Sequence, residues 1–248
     1  MSEPLYKSYE QSFTLLTRDC DFTGHWRPSA VLESMQEVAG VHSALLGCGR
    51  DDLLRQDTVW VLSRCEIHMN RYPVLGEQVT VATYPMPVRR YFFPRYFVFT
   101  DHRGELIGSA GSLWLLLDIH TRHMLPPGNV ARLIPDNSDL SIPNILPATV
   151  GALQGDEFVS EYHPVYADLD VNGHVNNTRY ADWLCNALGV SLLRSWEPES
   201  LILNYNAEIL PDTKVMLHRV LRDQDFRFSA CVGEKAAFEV GGRLRPRV

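Results

Sequence analysis

Asp170, Asn172 and His174 stand at alternate positions within five residues, just ahead of a helical pattern. In an extended stretch alternate side chains share one side, so all three can converge on a single point. The imidazole of His174 is a side chain suited to act as general base and take a proton from water. The carboxamide of Asn172 can orient that water, or a carbonyl, without adding charge. Asp170 can fix a tautomer or hold a helix-start amide. The backbone amides of Val175 and Asn176, where the helix begins, are expected to be free to hold an oxyanion. Further along, Leu201, Leu203, Tyr205, Ala207 and Ile209 alternate with Ile202, Asn204, Asn206 and Glu208. Read as a strand, this segment puts the Glu208 carboxylate on a mostly polar face, where it can polarise a water together with His174. The set suits a hydrolase in which water attacks an acyl carbon.

The elements that would position these groups occur twice. Asp19-Cys-Asp-Phe-Thr-Gly-His25 and Asp168-Leu-Asp-Val-Asn-Gly-His174 share Asp, Asp, Gly and His in register, at an offset of 149 residues. An extended segment precedes each copy, Gln11 to Thr17 and Phe158 to Tyr166. A helical pattern follows each. Val31, Met35, Val38, His42 and Leu45 form one stripe of a helix expected over Ser29 to Leu46. Tyr180, Trp183, Leu184, Ala187, Leu188 and Leu192 form the apolar face of another, expected over Thr178 to Leu193 and capped by Asn176 or Asn177. Strand patterns then run over 59–69, 78–84, 91–100 and 106–117 in the first half, and over 201–210, 214–221, 226–232 and 236–244 in the second. The Pro-, Gly-, Asn- and Ser-rich stretch from Pro126 to Gly155 reads as a linker. Modules are therefore expected at 1–130 and 155–248, joined by 131–154. The class is α+β, and each module, one long helix wrapped by an antiparallel sheet, resembles the hotdog fold; the pair resembles a double hotdog.

Asp170-Val-Asn-Gly-His-Val-Asn-Asn-Thr-Arg-Tyr180, with Trp183 downstream, resembles the active-site signature of the acyl-acyl carrier protein thioesterases. Leu203-Asn-Tyr-Asn-Ala-Glu208 resembles the family segment that carries a catalytic Glu. The resemblance implies catalytic roles for Asp170, Asn172, His174 and Glu208, hydrolysis of fatty acyl thioesters held on acyl carrier protein, and no metal or cofactor. Plant members have a Cys directly after the Glu; here that residue is Ile209, which leaves direct water attack or a carboxylate nucleophile at Asp170. The missing plant transit peptide points to a bacterial-type, cytoplasmic enzyme. The first copy has Thr23 in place of Asn172, and an offset of 136 sets Tyr72 opposite Glu208. This half lacks the full set and is expected to shape the acyl-chain cavity, with Met35, Val38, Ala39, Val61, Cys65 and Trp114 as lining candidates. An acyl-coenzyme A thioesterase, a non-catalytic acyl-binding module and a dehydratase of this fold are the competing readings, the last fitting the motif poorly.

Composition excludes other classes. A net charge of -7 argues against wholesale nucleic-acid binding. Five cysteines, an odd number without a Cys-x-x-Cys pair, suit reduced thiols. No apolar run is long enough to span a bilayer, and 1–10 has no signal-peptide core. His120-x-x-His123 lacks an acidic companion and reads as a loop rather than a metal site. Arg89, Arg90 and Arg95 sit among aromatics. They read by default as charges on an edge strand, or more sharply as a docking patch for an acidic carrier protein. Two modules in one chain already mimic a dimer, so either a monomer or a homodimer is expected.

Overall fold

The first long helix is set by its own sequence. Arg27 is extended, Pro28 occupies the first helical turn, and α1 runs Pro28–Leu45 with Val31, Leu32, Met35, Val38, Ala39 and His42 buried on one side. In this computed structural model, residues 6–143, 146–155 and 157–247 are described. Residues 1–5 of the leading stretch, 144 and 145 of the expected linker, and 156 and 248 of the expected second module lie outside them.

The strands are β1 (Tyr9–Thr14), β2 (Thr58–Met69), β3 (Gln78–Pro85), β4 (Phe93–Asp101), β5 (Leu106–Asp118), β6 (Met124–Leu125), β7 (Glu157–Tyr162), β8 (Trp196–Tyr205), β9 (Val215–Arg222), β10 (Asp225–Val232) and β11 (Lys235–Pro246). They form an 11-stranded sheet in the order β1-β3-β4-β5-β2-β8-β11-β10-β9-β7, with β6 on β5. The two halves of that order mirror each other about the β2–β8 pair. That pair is antiparallel, with Cys65 opposite Leu203, Glu66 opposite Ile202 and Ile67 opposite Leu201. Glu66 and Ile202 are 136 positions apart, the same offset that equates Tyr72 with Glu208. Equivalent positions therefore face each other, and a pseudo-twofold axis passes between them.

The second helix differs from its sequence pattern. It is two pieces, α3 (Arg179–Leu188) and α4 (Val190–Leu193), following the short α2 (Arg50–Leu54) of the first half. Gly189 takes φ 91°, a left-handed conformation that ends α3, and its amide bonds to the Cys185 carbonyl. An unbroken apolar periodicity hides this break because the stripe continues across it.

One core joins both halves. Trp26, Phe97 and Phe99 from the first and Trp183, Phe226, Phe228 and Phe238 from the second belong to the same buried cluster. Tyr180 on α3 stacks on Phe238 with ring centroids 4.3 Å apart. The helices meet through Ser29, whose hydroxyl donates to Asp182 at 2.6 Å. The Pro-rich connection is tied to the sheet rather than free of it. Asn137 is buried and donates to the Pro85 carbonyl at 2.7 Å. The Ala148 amide donates to Glu66 at 3.0 Å, at the pseudo-twofold. At Gly241 a Cβ would lie 3.1 Å from Val150, so glycine lets the connection lie close over β11.

Candidate active site

Both motif copies fold alike because an aspartate organises each. Asp170 Oδ1 accepts the amides of Asn172 at 2.8 Å and His174 at 3.2 Å, and Asp21 Oδ1 accepts those of Thr23 and His25 at the same distances. Gly173 and Gly24 turn the chain at φ 77° and 81°. The Val175 amide bonds to the Ile209 carbonyl, and the Trp26 amide bonds to that of Pro73. Ile209 and Pro73 are again 136 apart, so the structure sets Tyr72 and Glu208 at equivalent places.

The copies then diverge. In the second, His174 Nδ1 is 3.7 Å from Glu208 Oε1, with the side chains 27% and 38% exposed. Asn172 Nδ2 donates to Asp170 Oδ2 at 3.3 Å. Arg122, in the turn after β5 with φ 60°, pairs with Glu208. In the first, Tyr72 is buried, and Arg247, directly after β11, donates to Asp21 Oδ2 at 2.9 Å. Hydrogen bonding to Thr23 and His25 and the nearby Arg247 outweigh burial and hold the Asp21 carboxyl below its ordinary value. This copy is closed by the chain itself.

A cavity of about 320 Å³ lies beside the second copy. Asp170, Asn172 and Asn177 border it on one side; Gln36, Ala39 and Ser43 of α1, with Trp60, Phe93, Arg95 and Trp114 from the sheet, supply much of the rest. A smaller space of about 20 Å³ continues past Met35, Leu62, Cys65 and Tyr205 and shares Gln36, Trp114 and Asn177 with it.

Several expectations change. The oxyanion amides are occupied: Val175 bonds to Ile209, and Asn176 bonds to the Asp168 carbonyl at 2.8 Å. The motif closes as a small bridged loop, and α3 starts only at Arg179, so these N–H groups are not at a helix start. Glu208 is not on a strand, because β8 ends at Tyr205; it lies on the following loop, which carries its carboxylate to His174. Of the lining candidates, Ala39, Met35, Cys65 and Trp114 border the two spaces. Val38 is buried in the core and borders neither space. Val61 pairs with Leu115 on the face opposite Leu62 and Trp114, which pair with each other. A bulge between Leu62 and Arg64 switches parity, so Val61 and Cys65 do not share a face despite their even spacing.

Arg95 is not a docking residue. β4 lies between β3 and β5, not at an edge, and Arg95 is buried at 6% exposure. Arg89 and Arg90 sit in the exposed turn joining β3 to β4, with Arg90 at φ 57°. His120 lies 3.3 Å from Asp57 in an exposed pair. Among the described residues no cluster of three His, Cys, Asp or Glu side chains could hold a metal, and no helix is long and apolar enough to cross a membrane. Sequence reasoning missed Arg122 and Asn177. Asn177 stood inside the motif and could have been taken as mouth-lining, whereas nothing local marks Arg122.

Residues 6–127 match the acyl-ACP thioesterase N-terminal domain and residues 151–233 match the acyl-ACP thioesterase C-terminal domain. The chain belongs to the acyl-ACP thioesterase family. The crystal structure of an acyl-ACP thioesterase from Bacteroides thetaiotaomicron superposes with a TM-score of 0.87 at 24% identity, covering 96% of this chain and 98% of that one. The 12:0-ACP thioesterase from Umbellularia californica does so with a TM-score of 0.83 at 22% identity, covering 99% and 100%. The fold is thus the α+β double hotdog. A chloroplastic palmitoyl-acyl carrier protein thioesterase of Gossypium hirsutum is 25% identical over 239 residues, 91% of this chain and 58% of that protein. The chain spans little more than half the length of the curated relatives it matches.

Proposed function

We propose that this protein hydrolyses fatty acyl thioesters of acyl carrier protein, giving a free fatty acid and the carrier thiol. The observation that carries the reading is the approach of His174 Nδ1 to within 3.7 Å of Glu208 Oε1, on a loop whose neighbours Asp170 and Asn172 border the cavity. A water held by His174 and Glu208 gives up a proton as its oxygen bonds to the thioester carbon; the C–S bond then breaks and the sulfur leaves as a thiol with that proton. Asn172 has a second N–H beyond the one given to Asp170, and it is the neutral donor suited to the carbonyl oxygen now that the Val175 and Asn176 amides are engaged. Three hydrogen bonds on Asp170 favour an anchoring role for it over a nucleophilic one. Residues 1–130 would act as the module that houses the acyl chain and 155–248 as the catalytic one, with 131–154 between them.

The test is free-acid release from a panel of acyl carrier protein thioesters by the native protein and His174→Ala. Hydrolysis is expected to fall at least about a hundredfold with folding intact; near-normal turnover in the variant would contradict the assignment. Parallel coenzyme A thioesters discriminate the carrier.

A further inference from the structure

Arg95 has no role in the chemistry above, yet its charge is held out of water. Its side chain is buried, borders the cavity, and among the described residues has no carboxylate in ion-pair reach. Burial pushes its guanidinium down to about 10. Its partners are all neutral acceptors. Nη1 donates to His42 Nδ1 at 3.0 Å and to Thr83 Oγ1 at 3.3 Å, and Nη2 donates to Ser43 Oγ at 3.2 Å. His42 cannot offset the charge. Its Nδ1 must be a bare lone pair to accept from Arg95, and its Nε2 must carry the hydrogen that reaches the Tyr6 carbonyl at 2.9 Å, so the ring is neutral. A guanidinium has five N–H groups, and these bonds engage three.

The position of this group along the cavity follows from α1. Gln36 and Asn177 border both spaces, which sets them near each other at the catalytic loop. Ser43, which holds Arg95, is seven residues further along α1, roughly 10 Å on at the helical rise. A plain alkyl chain lying along the cavity against Arg95 would leave a charged donor facing hydrocarbon, which buried polar groups tolerate poorly.

We propose that the acyl group this protein accepts carries an oxygen acceptor, a hydroxyl, keto or carboxylate oxygen, toward its far end, and that Arg95 with Ser43 receives it. The inference rests on the hydrolytic reading for its substrate and on the cavity for its chemistry. The donor pair selects against unsubstituted chains of the same length because only an acceptor occupies the remaining N–H groups.

The experiment compares octanoyl, ω-hydroxyoctanoyl and the equally long ω-carboxyacyl pantetheine thioesters with the native protein, Arg95→Met and Arg95→Lys. At least one oxygenated substrate is expected to exceed octanoyl about tenfold or more in kcat/KM, the factor supported by one hydrogen bond to a charged group. That ratio is expected to drop toward one in Arg95→Met and to survive in part in Arg95→Lys, which keeps a cationic donor. The hydroxy and carboxy arms identify the acceptor. An octanoyl thioester that matches or beats both in the native protein overturns the inference, whether or not the variants fold. To separate this from failure of the hydrolytic reading, the same thioesters are added to His174→Ala and the melting temperature followed. A larger upward shift with an oxygenated chain supports the Arg95 site even if no thioester is hydrolysed, and equal shifts for all three refute it.

Discussion

His42 is predicted to make this protein acid-labile. It is buried on α1 as a neutral ring, clamped between the Tyr6 carbonyl and the Arg95 guanidinium. Burial first, and then the Arg95 charge, push its pKa down from 6.5 to about 4. A folded-state value below the unfolded one means the unfolded chain binds the proton more readily. The contribution to stability is therefore whole above pH 6.5 and is lost as the pH falls from there toward 4. At pH 5 the unfolded ring is almost fully protonated and the folded ring is not, a difference of about 2 kcal/mol. The perturbation is His42→Gln, whose amide can donate to Tyr6 and accept from Arg95 without titrating. Urea unfolding midpoints at about pH 7.5 and about pH 5 give the free energies. The native protein is expected to lose about 2 kcal/mol more than the variant between the two conditions. Equal losses would refute the neutral-ring argument, and with it the uncompensated charge assigned to Arg95.

Two further outcomes concern the loop that carries Glu208 to His174 and the proposed carrier contact. Arg122→Ala removes the cation that pairs with Glu208; the expected result is a kcat lower by about tenfold with KM little altered, partly restored in Arg122→Lys, measured on a carrier-bound substrate. Reversing Arg89 and Arg90 to Glu on the exposed β3–β4 turn is expected to raise KM for carrier-bound substrate several-fold at low salt and to leave coenzyme A thioesters little affected. Unchanged KM on both would end the docking role of that turn.

The features legible in the sequence are those whose physics is local. The duplicated Asp-x-Asp-x-x-Gly-His unit was readable because one aspartate side chain and one left-handed glycine within five residues suffice to build its loop; the two copies fold alike, but as a turn around the aspartate rather than the extended stretch expected. Helix α1 follows from a proline at its start and apolar spacing of three and four, within one residue of the expected bounds. The strand meander follows from alternation in the same way. Even the equivalence of Tyr72 and Glu208 could be drawn from alignment of the halves, and the matching carbonyls of Pro73 and Ile209 agree with it.

What failed did so where one element's state depends on another. Continuous alternation through Glu208 suggested a strand, but β11 stops pairing with β8 at Tyr205, and the chain leaves the sheet to reach His174. Val61 and Cys65 looked like neighbours on one face until the bulge reversed the parity. The amides of Val175 and Asn176 looked free because their acceptors, Ile209 and Asp168, come from a distant loop and from a bridge across the motif. Arg95 read as an exposed charge, yet its strand is interior and its guanidinium faces α1 and the cavity. Residue order thus set the repeat, the helices and the reactive groups, since these rest on side chains a few positions apart. Pairing across the sheet decided which amides stay available, which arginine is buried and which carboxylate meets the imidazole, since hydrogen-bond partners and burial are properties of chain segments far apart in sequence.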